Sequence, residues 1–283
     1  MAEAAGLVVG AVSVAGLFTN CVDCFEYVQM GRNFGKNYQR SLLRLDVVKL
    51  RLSRWAEAVN NSSDRSETAI DPTKKAQKVG EILGEIIELF ADAERVSKKY
   101  KGKATVDELA VYNADNELEP DILSVHRKMR ELALKRQKRS SFAQKAAWAL
   151  YEEKNFRRLI EDVTTLVDAL VELFPSSRDR QQRLSAQEAE ELKEEHRLDV
   201  LEEAAEGVDQ LLQDSVQQAI ASQSGHTFKD NMVMDNARVR YGDELTVGAT
   251  STGAGHRYGG NTAQGSSRVH YGNQFGGKSV LDD

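Results

Sequence analysis

The tail of this chain contains two copies of one short motif, and that repeat constrains the fold more than any other feature. The segment ARVRYGDEL at 237–245 aligns with SRVHYGNQF at 267–275, an offset of 30 residues. Four positions are identical, namely Arg238/Arg268, Val239/Val269, Tyr241/Tyr271 and Gly242/Gly272. Self-similarity at a fixed offset is typical of stacked repeat units, which bury a shared face only by lying on one another.

Within each copy the residues alternate as they do in a strand, where successive side chains face opposite sides. The predicted inner face is Ala237, Val239 and Tyr241 in the first copy and Ser267, Val269 and Tyr271 in the second, with Arg238, Arg240, Arg268 and His270 on the other face. Stacking the second copy on the first leaves open edges that can template further chains. The tail is therefore predicted to assemble with itself.

The predicted amyloid core includes more than the inner-face residues. In the first copy it comprises Asn231, Val233, Ala237, Arg238, Val239, Tyr241, Gly242 and Asp243. In the second it comprises Asn261, Ala263, Ser267, Arg268, Val269, Tyr271, Gly272, Asn273 and Phe275. Matching asparagines can form amide ladders along the stack. The alternative is a disordered glycine-rich tail with a coincidental duplication. Both descriptions hold if the tail is disordered in the monomer and ordered in the assembly.

The composition changes near residue 225. Eleven of the 20 glycines lie at or after it, and the segments with helical periodicity lie before it. Apolar residues at three- and four-residue spacing predict helices over 36–60, 73–100, 119–138, 140–154, 156–174 and 183–222. A short strand or hairpin competes over 104–118. The scarcity of proline, three in 283 residues, favours long helices. We therefore predict an all-α fold, a helix bundle over 1–224 followed by the repeat tail.

The N-terminal run from Ala4 to Thr19 is predicted to be a helix that is apolar on every side. Its residues include Gly6, Leu7, Val8, Val9, Gly10, Val12, Val14, Leu17 and Phe18. Such a helix is either deeply buried or destined for lipid. It is shorter than the ~20 residues that span a bilayer, and no basic region precedes it as in a signal peptide. We predict a helix that is buried at rest and able to leave the bundle.

Other functional classes find little support. The net charge of -6 argues against a general nucleic-acid binder. Cys21 and Cys24 lack further zinc ligands at suitable spacing, so we expect two reduced thiols packed in or near a helix, and no cofactor. No GxxxxGK[ST], HExxH or GxSxG string occurs, which argues against the corresponding enzymes.

A basic cluster begins within the third predicted helix, 119–138, and continues beyond it. It comprises Arg127, Lys128, Arg130, Lys135, Arg136, Lys138, Arg139 and Lys145. This cluster either meets anionic lipid headgroups or forms a solvated face paired with the acidic segment 186–206. The second interpretation is the more common one for a run of charges.

The residues of both regions resemble the fungal HET-s/HET-S heterokaryon-incompatibility family. The matching strings are the two-copy tail with YGNQFGGK (271–278), GLFTNCVDCFEYVQMGRNFG (16–35), RLSRWAEAV (51–59) and AWALY (147–151). The resemblance implies a helical HeLo domain over 1–224, with a candidate membrane-inserting segment in 1–30. It also implies a prion-forming domain over 225–283, whose copies at about 229–247 and 259–277 form a two-rung β-solenoid amyloid.

The family's mechanism is implied in the same way. Templating of the tail deforms the HeLo domain and expels the N-terminal segment, which permeabilises a membrane and kills the cell. The implied partners are the chain itself, as an amyloid oligomer and a HeLo dimer, other HET-s-type proteins or a NOD-like receptor with a matching motif, and membrane lipids. No nucleic acid is expected. The protein would be cytoplasmic and move to the plasma membrane on activation.

Variation within the family leaves alternatives open. Some family members keep the amyloid and lose the membrane activity, and we assign Asp23 and Asn33 to the head region where such a switch acts. Opposite charges that pair between copies in the family are missing here, because Lys229 faces Gly259, Met234 faces Gln264 and Asn236 faces Ser266. The alternatives are a non-toxic prion-only variant or amyloid scaffold, and a cytosolic helical adaptor with a disordered tail.

Overall fold

The fold is described from a computed structural model, in which residues 8–9, 12–60, 72–105, 107–137, 147–193, 197–242, 244–245, 255–272 and 274–275 can be placed. The chain divides into two compact units, Met1–Val216 and Gln217–Asp283. The first unit is helical and the second contains the repeat copies. The division falls inside one helix, a few residues before the boundary predicted from composition.

The N-terminal apolar run is not one continuous helix. Strands β1 (Val8–Val9) and β2 (Val12–Ser13) pair antiparallel, with Val9 opposite Val12, and helix α1 (Val14–Glu26) follows. The helix predicted over 4–19 is therefore wrong over Val8–Val9 and Val12–Ser13. The physical reason is that the β-branched valines, which lose side-chain freedom in a helix, are well suited to a strand. The second half of α1, from Cys21 to Phe25, is buried, whereas its first half is half-exposed.

The long helices agree with the predicted ones to within a few residues. They are α2 (Tyr38–Asn60), α3 (Pro72–Lys101), α5 (Pro120–Gln137) and α6 (Glu153–Glu172), and a short helix α4 (Ala114–Glu117) precedes α5. Proline occupies the first position of α3 and of α5, where its missing N–H removes no intrahelical bond. The helical fold class is confirmed for the first unit.

Helix α2 lies at the centre of this unit. It packs against α1, α5, α6 and the later helices α7 (Arg178–Lys193) and α8 (Leu198–Ala205). Its stripe of Leu43, Val47, Val48, Leu50 and Leu52 is fully buried. Apolar residues at helical spacing on several faces, rather than on one, are expected for a helix surrounded by others.

The helix predicted over 140–154 is wrong at Trp148–Leu150, which form a strand. Within the segment 140–154, the structure places strand β4 (Trp148–Leu150), which pairs parallel with β3 (Val28–Met30). All three β4 side chains are buried. A short apolar run buried on both sides has no diagnostic periodicity, and here pairing with a distant strand overrides the local preference. The segment 104–118 contributes α4 and an isolated bridge between Val111 and Gly31.

The single helix predicted over 183–222 is interrupted. The structure has α7 (Arg178–Lys193), α8 (Leu198–Ala205) and α9 (Gln210–Gln223). Helix α8 ends before Gly207, whose φ of +67° is left-handed and stops the helix. Short 3-10 turns occur at Arg32–Asn37, Asp107–Leu109 and Pro175–Ser177.

The described part of the second unit contains paired short strands after the end of α9. The first copy contains β5 (Ser224–Lys229), β6 (Met232–Val233), β7 (Arg238–Arg240) and β8 (Glu244–Leu245). The second contains β9 (Gly255–Gly259), β10 (Thr262–Ala263), β11 (Arg268–His270) and β12 (Gln274–Phe275). Each strand of the first copy pairs in parallel with the corresponding strand of the second.

Candidate functional site

The two repeat copies lie on one another with a constant offset. Arg238 is opposite Arg268, Val239 is opposite Val269, and Leu245 is opposite Phe275, each pair 30 residues apart in sequence. The same offset relates β6 to β10 and the end of β5 to the end of β9. Each repeat copy thus forms one rung of a stack. Because equivalent residues pair in parallel, the two rungs have the same outline and like side chains meet from one rung to the next.

Two pairs of side chains connect the rungs directly. The Asn261 Oδ1 accepts hydrogen bonds from the backbone N–H and the Nδ2 of Asn231, both at 3.0 Å. The rings of Tyr241 and Tyr271 are stacked, with centroids 5.4 Å apart and planes inclined by 7°. These contacts are the amide ladder and aromatic pair that identical residues form in parallel, in-register strands.

The two faces of the rungs differ in exposure. Val233 is 3% exposed, while its neighbours Met232 and Met234 are 66% and 50% exposed. The inner-face residues of β7 and β11 are half-buried: Ala237, Val239, Ser267 and Val269. Arg238, Arg240 and Arg268 are exposed, and His270 is buried. Ala263 is exposed, although its register partner Val233 is buried. Two rungs alone thus leave much of the inner face accessible.

Two corners of the rungs use left-handed backbone. In the first copy the corner residues are Asp230 and Asp235, with φ of 55° and 63°. In the second copy Gly260 and Gly265 take their place, with φ of 63° and 74°. Aspartate tolerates this region better than most residues and glycine enters it freely. Sequence reasoning missed these corners, although the Asp/Gly matches at the 30-residue offset could have identified them.

For some residues of the predicted amyloid core, the structure describes only the backbone or the strand register. Gly272 has a φ of 147° and Gly242 precedes β8. Phe275 lies in β12 opposite Leu245. Asp243 and Asn273 lie outside the described residues. The register agrees with the predicted lack of a charge pair between the copies at Lys229, because Lys229 is opposite Gly259.

The N-terminal segment and the predicted switch residues belong to the first unit. Val8 and Val9 form β1, Val12 begins β2, and Val14, Leu17 and Phe18 lie half-buried in α1. Gly6, Leu7 and Gly10 lie outside the described residues. No helix that the structure describes is both long and apolar enough to cross a membrane.

The two switch residues sit in different surroundings. Asp23 is 8% exposed within α1. The Asn33 Nδ2 donates to the Tyr100 hydroxyl at 3.0 Å from the turn Arg32–Asn37. Gly35 in this turn has a left-handed φ of 51°. The structure does not bring Asp23 and Asn33 together in any contact that it describes.

The end of α1 is held by a buried ion cluster that sequence reasoning did not identify. The Glu26 carboxylate contacts Lys49 on α2 and Arg130 on α5. Lys49 is 2% exposed. The pKa of Lys49 is lowered to about 7, chiefly by burial, with Arg130 adding to the shift and Asp23 opposing it. Lys49 appears in the sequence as a cation in the apolar stretch of α2, which was the available signal.

A second buried cluster joins α2 to the C-terminal helices of the unit. Arg54, which is fully buried, makes bidentate contacts with Glu188 on α7 and with Asp209 just before α9. Burial would lower the pKa of Arg54, but the charges and hydrogen bonds of the two carboxylates more than compensate and raise it. Arg54 in turn holds the pKa of Asp209 below its usual range, against the effect of burial.

The basic cluster is largely paired within the unit. Lys128 forms an ion pair with Glu191 at 3.5 Å, and Arg136 contacts Glu188 and Glu57. These contacts favour the interpretation of a face paired with acidic residues of α7. Lys138, Arg139 and Lys145 lie outside the described residues.

His126 contacts Asp46 at 2.6 Å in the interior.

Both cysteines are buried free thiols in α1, as predicted. The Cys21 Sγ donates to the Leu83 carbonyl of α3 at 3.0 Å. Burial, with a smaller contribution from Cys24, raises the pKa of the Cys21 thiol, so it is poorly reactive in the folded unit. Among the residues that the structure describes, no group of three or more His, Cys, Asp or Glu side chains is placed to hold a metal ion.

Comparison with known proteins identifies the first unit. Residues 6–201 match the HeLo family, described as prion-inhibition and propagation. The chain belongs to the HeLo family. This HeLo protein is 40% identical over 255 residues to the heterokaryon incompatibility protein s of Podospora anserina, covering 89% of this chain and 88% of the relative. It is 40% identical over 251 residues to heterokaryon incompatibility protein S of the same species, covering 88% and 86%.

Solved structures agree with this assignment. The HET-S N-terminal domain superposes on the HeLo protein with a TM-score of 0.69 at 41% identity, covering 76% of this chain and 97% of that domain. A doubly substituted HET-s N-terminal domain gives a TM-score of 0.67 at 41% identity, covering 74% and 98%. The resemblance to the HET-s/HET-S family and the helical HeLo fold are thereby confirmed.

Proposed function

We propose that this HeLo protein acts in heterokaryon incompatibility, and that ordered stacking of its tail triggers its head to permeabilise a membrane. The names of the two relatives support the incompatibility role. The observation that carries the trigger is the parallel pairing of the repeat copies at a constant offset, with Val239 opposite Val269. Each rung repeats the outline of the other, so a further chain can add its first rung to an exposed second rung.

The half-buried inner face supplies the driving force for that addition. Val239 and Val269 remain half-exposed in the two-rung unit. A further rung covers the open side of each, and burial of apolar area contributes about 25 cal/mol per Å². The Asn231 and Tyr241 contacts recur at every junction. The tail is thus suited to act as a template that adds identical units.

The head provides the effector in this proposal. Helix α1 and the strands before it carry the apolar residues from Val8 to Phe25, and only the last part of α1 is fully buried. The Glu26 cluster and the Cys21–Leu83 hydrogen bond hold α1 in place. Release of these contacts would free the segment for lipid. The protein would be cytoplasmic at rest and would move to the plasma membrane once stacked.

The test uses full-length protein and anionic vesicles. Preassembled chain added as seed is expected to convert soluble chain to cross-β assemblies and to release a trapped dye. Val239→Asp, which places a charge on the inner face, is expected to abolish assembly and leakage together. Arg238→Glu, a matched change on the outer face of the same strand, should leave assembly almost unchanged, since exposed charges contribute only about 0–1 kcal/mol.

The remaining outcomes separate the alternatives. Assembly without leakage would indicate a prion-only variant or scaffold and would overturn the effector role. Absence of seedable assembly would indicate a helical adaptor and would overturn the trigger. A chain lacking residues 2–13 that assembles but does not release dye would assign the leakage to the N-terminal segment.

A further inference from the structure

A cavity of about 240 Å³ lies in the first unit where α1, α3 and β4 meet. Three of its lining residues are aromatic, namely Tyr27, Phe90 and Trp148, and one is a carboxylate, Glu94. The other lining residues that the structure describes are small or aliphatic, and none of them is a lysine or an arginine. We call this space the aromatic cavity. Its described walls thus combine aromatic rings with a single anion.

The local structure explains how these side chains meet. Phe90 and Glu94 are four residues apart on α3, so their side chains share one face of that helix. The backbone N–H of Trp148 donates to the carbonyl of Tyr27 at 2.8 Å, which joins the start of β4 to the end of α1. Phe90 is 2% exposed and Trp148 is 8% exposed, whereas Tyr27 and Glu94 are half-buried. The first two therefore form the floor of the aromatic cavity and the last two its rim.

The two floor residues are suited to a positively charged ligand. The face of an aromatic ring attracts a cation, and tryptophan does so most strongly. The cation–π contacts that the structure describes use the rings of Tyr112, Tyr151 and Phe174. None of these described contacts uses Phe90 or Trp148. A ligand cation would therefore not have to displace a described lysine or arginine from either ring.

Glu94 at the rim favours the same sign of charge. Its carboxylate lies 2.8 Å from the ammonium of Lys98, and the two side chains are 35% and 68% exposed. An exposed pair four residues apart on a helix contributes little to stability, because water screens both charges. Lys98 does not line the aromatic cavity. A cation at the rim can therefore share Glu94 with Lys98 or replace Lys98 at low cost.

We propose that the aromatic cavity binds a quaternary ammonium group, the cation of choline and of lipid headgroups that contain choline. Such a cation has no N–H to satisfy, and its methyl groups are apolar, so rings and aliphatic side chains suit it. Aromatic residues around a cation are the usual means of recognising this group. The volume is below the range of about 300–1,000 Å³ that holds drug-sized ligands, which favours a small occupant. The methyl groups would contact Phe90 and Trp148, with Glu94 balancing the charge.

The experiment titrates the full chain with choline chloride in a calorimeter at constant ionic strength. The matched ligand is the neutral isostere of choline, in which a carbon atom replaces the nitrogen. We expect choline to bind at least about tenfold more tightly than the isostere, because only choline gains from the rings and the carboxylate as a cation. Equal affinities would show a merely apolar cavity and would overturn the proposal, as would the absence of choline binding.

Substitutions at exposed positions of α3 test the carboxylate without disturbing the core. Glu94→Gln is expected to weaken choline binding severalfold. Glu88→Gln, which removes the same charge from an exposed position of the same helix, should not weaken it. Lys98→Gln should bind choline at least as tightly as the wild type, because it removes the cation that competes for Glu94. Equal losses in Glu94→Gln and Glu88→Gln would overturn the role of the carboxylate.

Fluorescence locates the bound ligand. The chain has two tryptophans, so in a Trp55→Phe background Trp148 reports alone. Its emission is expected to change with choline over the concentrations at which the calorimeter detects binding. Choline binding without any change in this emission would place the ligand elsewhere and would overturn the assignment to the aromatic cavity.

Two sources of the ammonium group are distinguished with vesicles. The full chain is sedimented with vesicles of phosphatidylcholine and, in parallel, with vesicles that lack choline headgroups. Cosedimentation with phosphatidylcholine that Glu94→Gln weakens would identify a lipid headgroup as the ligand. Choline binding without such cosedimentation would identify a free ammonium compound instead, and either result supports the site.

Discussion

A Cβ atom on Gly265 would lie 2.8 Å from the carbonyl oxygen of Asp235, the residue that occupies the same corner in the other rung. The φ of Gly265 is also left-handed at 74°. The second rung therefore requires glycine at this corner for two reasons, close approach and backbone conformation. The first rung does not, because Asp235 already occupies the left-handed region at a φ of 63°.

Gly265→Ala should loosen the pairing of the two rungs, whereas Asp235→Gly should preserve it. A left-handed non-glycine residue is strained by about 1–2 kcal/mol, and the contact with Asp235 adds to that. The measurement is hydrogen exchange at the amides of Thr262 and Arg268, which donate to Asn231 and Ala237 at 2.8 and 2.9 Å. Gly84→Ala in α3, where nothing lies within 4 Å, is the control and should leave these amides protected. Unchanged protection in Gly265→Ala would contradict the corner argument.

Arg54→Met should destabilise the head by about 3–5 kcal/mol, because the buried carboxylates of Glu188 and Asp209 would both lose their bidentate partner, leaving Glu188 with Arg136 alone. Adding Glu188→Gln and Asp209→Asn to that variant should recover most of the loss, since no charge is then left unpaired. Urea unfolding followed by circular dichroism provides the free energies. A triple variant as unstable as Arg54→Met would show that shape, rather than charge, decides the effect of this cluster.

The stability of the head should rise with pH through the window in which Lys49 titrates. The pKa of Lys49 is lowered from 10.5 to about 7 by burial, so between these values the unfolded chain holds a proton that the folded chain has released. Stability increases with pH wherever the unfolded state binds more protons. The free energy of unfolding of the wild type should therefore gain on that of Lys49→Met from pH 7 towards pH 10, about the pKa of an exposed lysine. Lys74→Met at an exposed position is the control, and parallel curves for wild type and Lys49→Met would contradict the prediction.

Cys21 should resist alkylation in the resting protein and become reactive when the head is activated. Its thiol is buried, donates to Leu83 and has a raised pKa, all of which suppress the thiolate. In a Cys24→Ser background, labelling by iodoacetamide reports on Cys21 alone. Labelling that increases together with dye release would indicate that α1 leaves α3. Continued protection during leakage would show that α1 stays in place.

Local patterns predicted the parts of the fold that local forces determine. Helices α2, α3, α5 and α6 are visible in sequence because their buried residues recur at helical spacing, on several faces in α2 and on one side in the others. The repeat was equally visible, since an offset of 30 residues requires only that the two copies be compared. The register of Val239 with Val269 then follows from the alignment itself.

Long-range contacts account for what the sequence did not predict. Strand β4 exists because Trp148–Leu150 pairs with Val28–Met30, far away in the chain. Arg54 binds Glu188 and Asp209 across 134 and 155 residues, and no spacing rule connects such positions. The pairing of Val8–Val9 with Val12–Ser13 is local, but its valines fit a helical hydrophobic pattern as well as a strand preference. Composition alone did not distinguish a helix from a strand at these valines.

The alternation of aspartate and glycine corners also makes the repeat unit directional. One end of the unit presents the acidic corners Asp230 and Asp235, and the other presents Gly260 and Gly265. Any column of such units has two chemically distinct tips. A short peptide with the sequence of the second copy alone would pair with the aspartate tip as the second copy pairs with the first within one chain, so it is expected to cap growth at that tip.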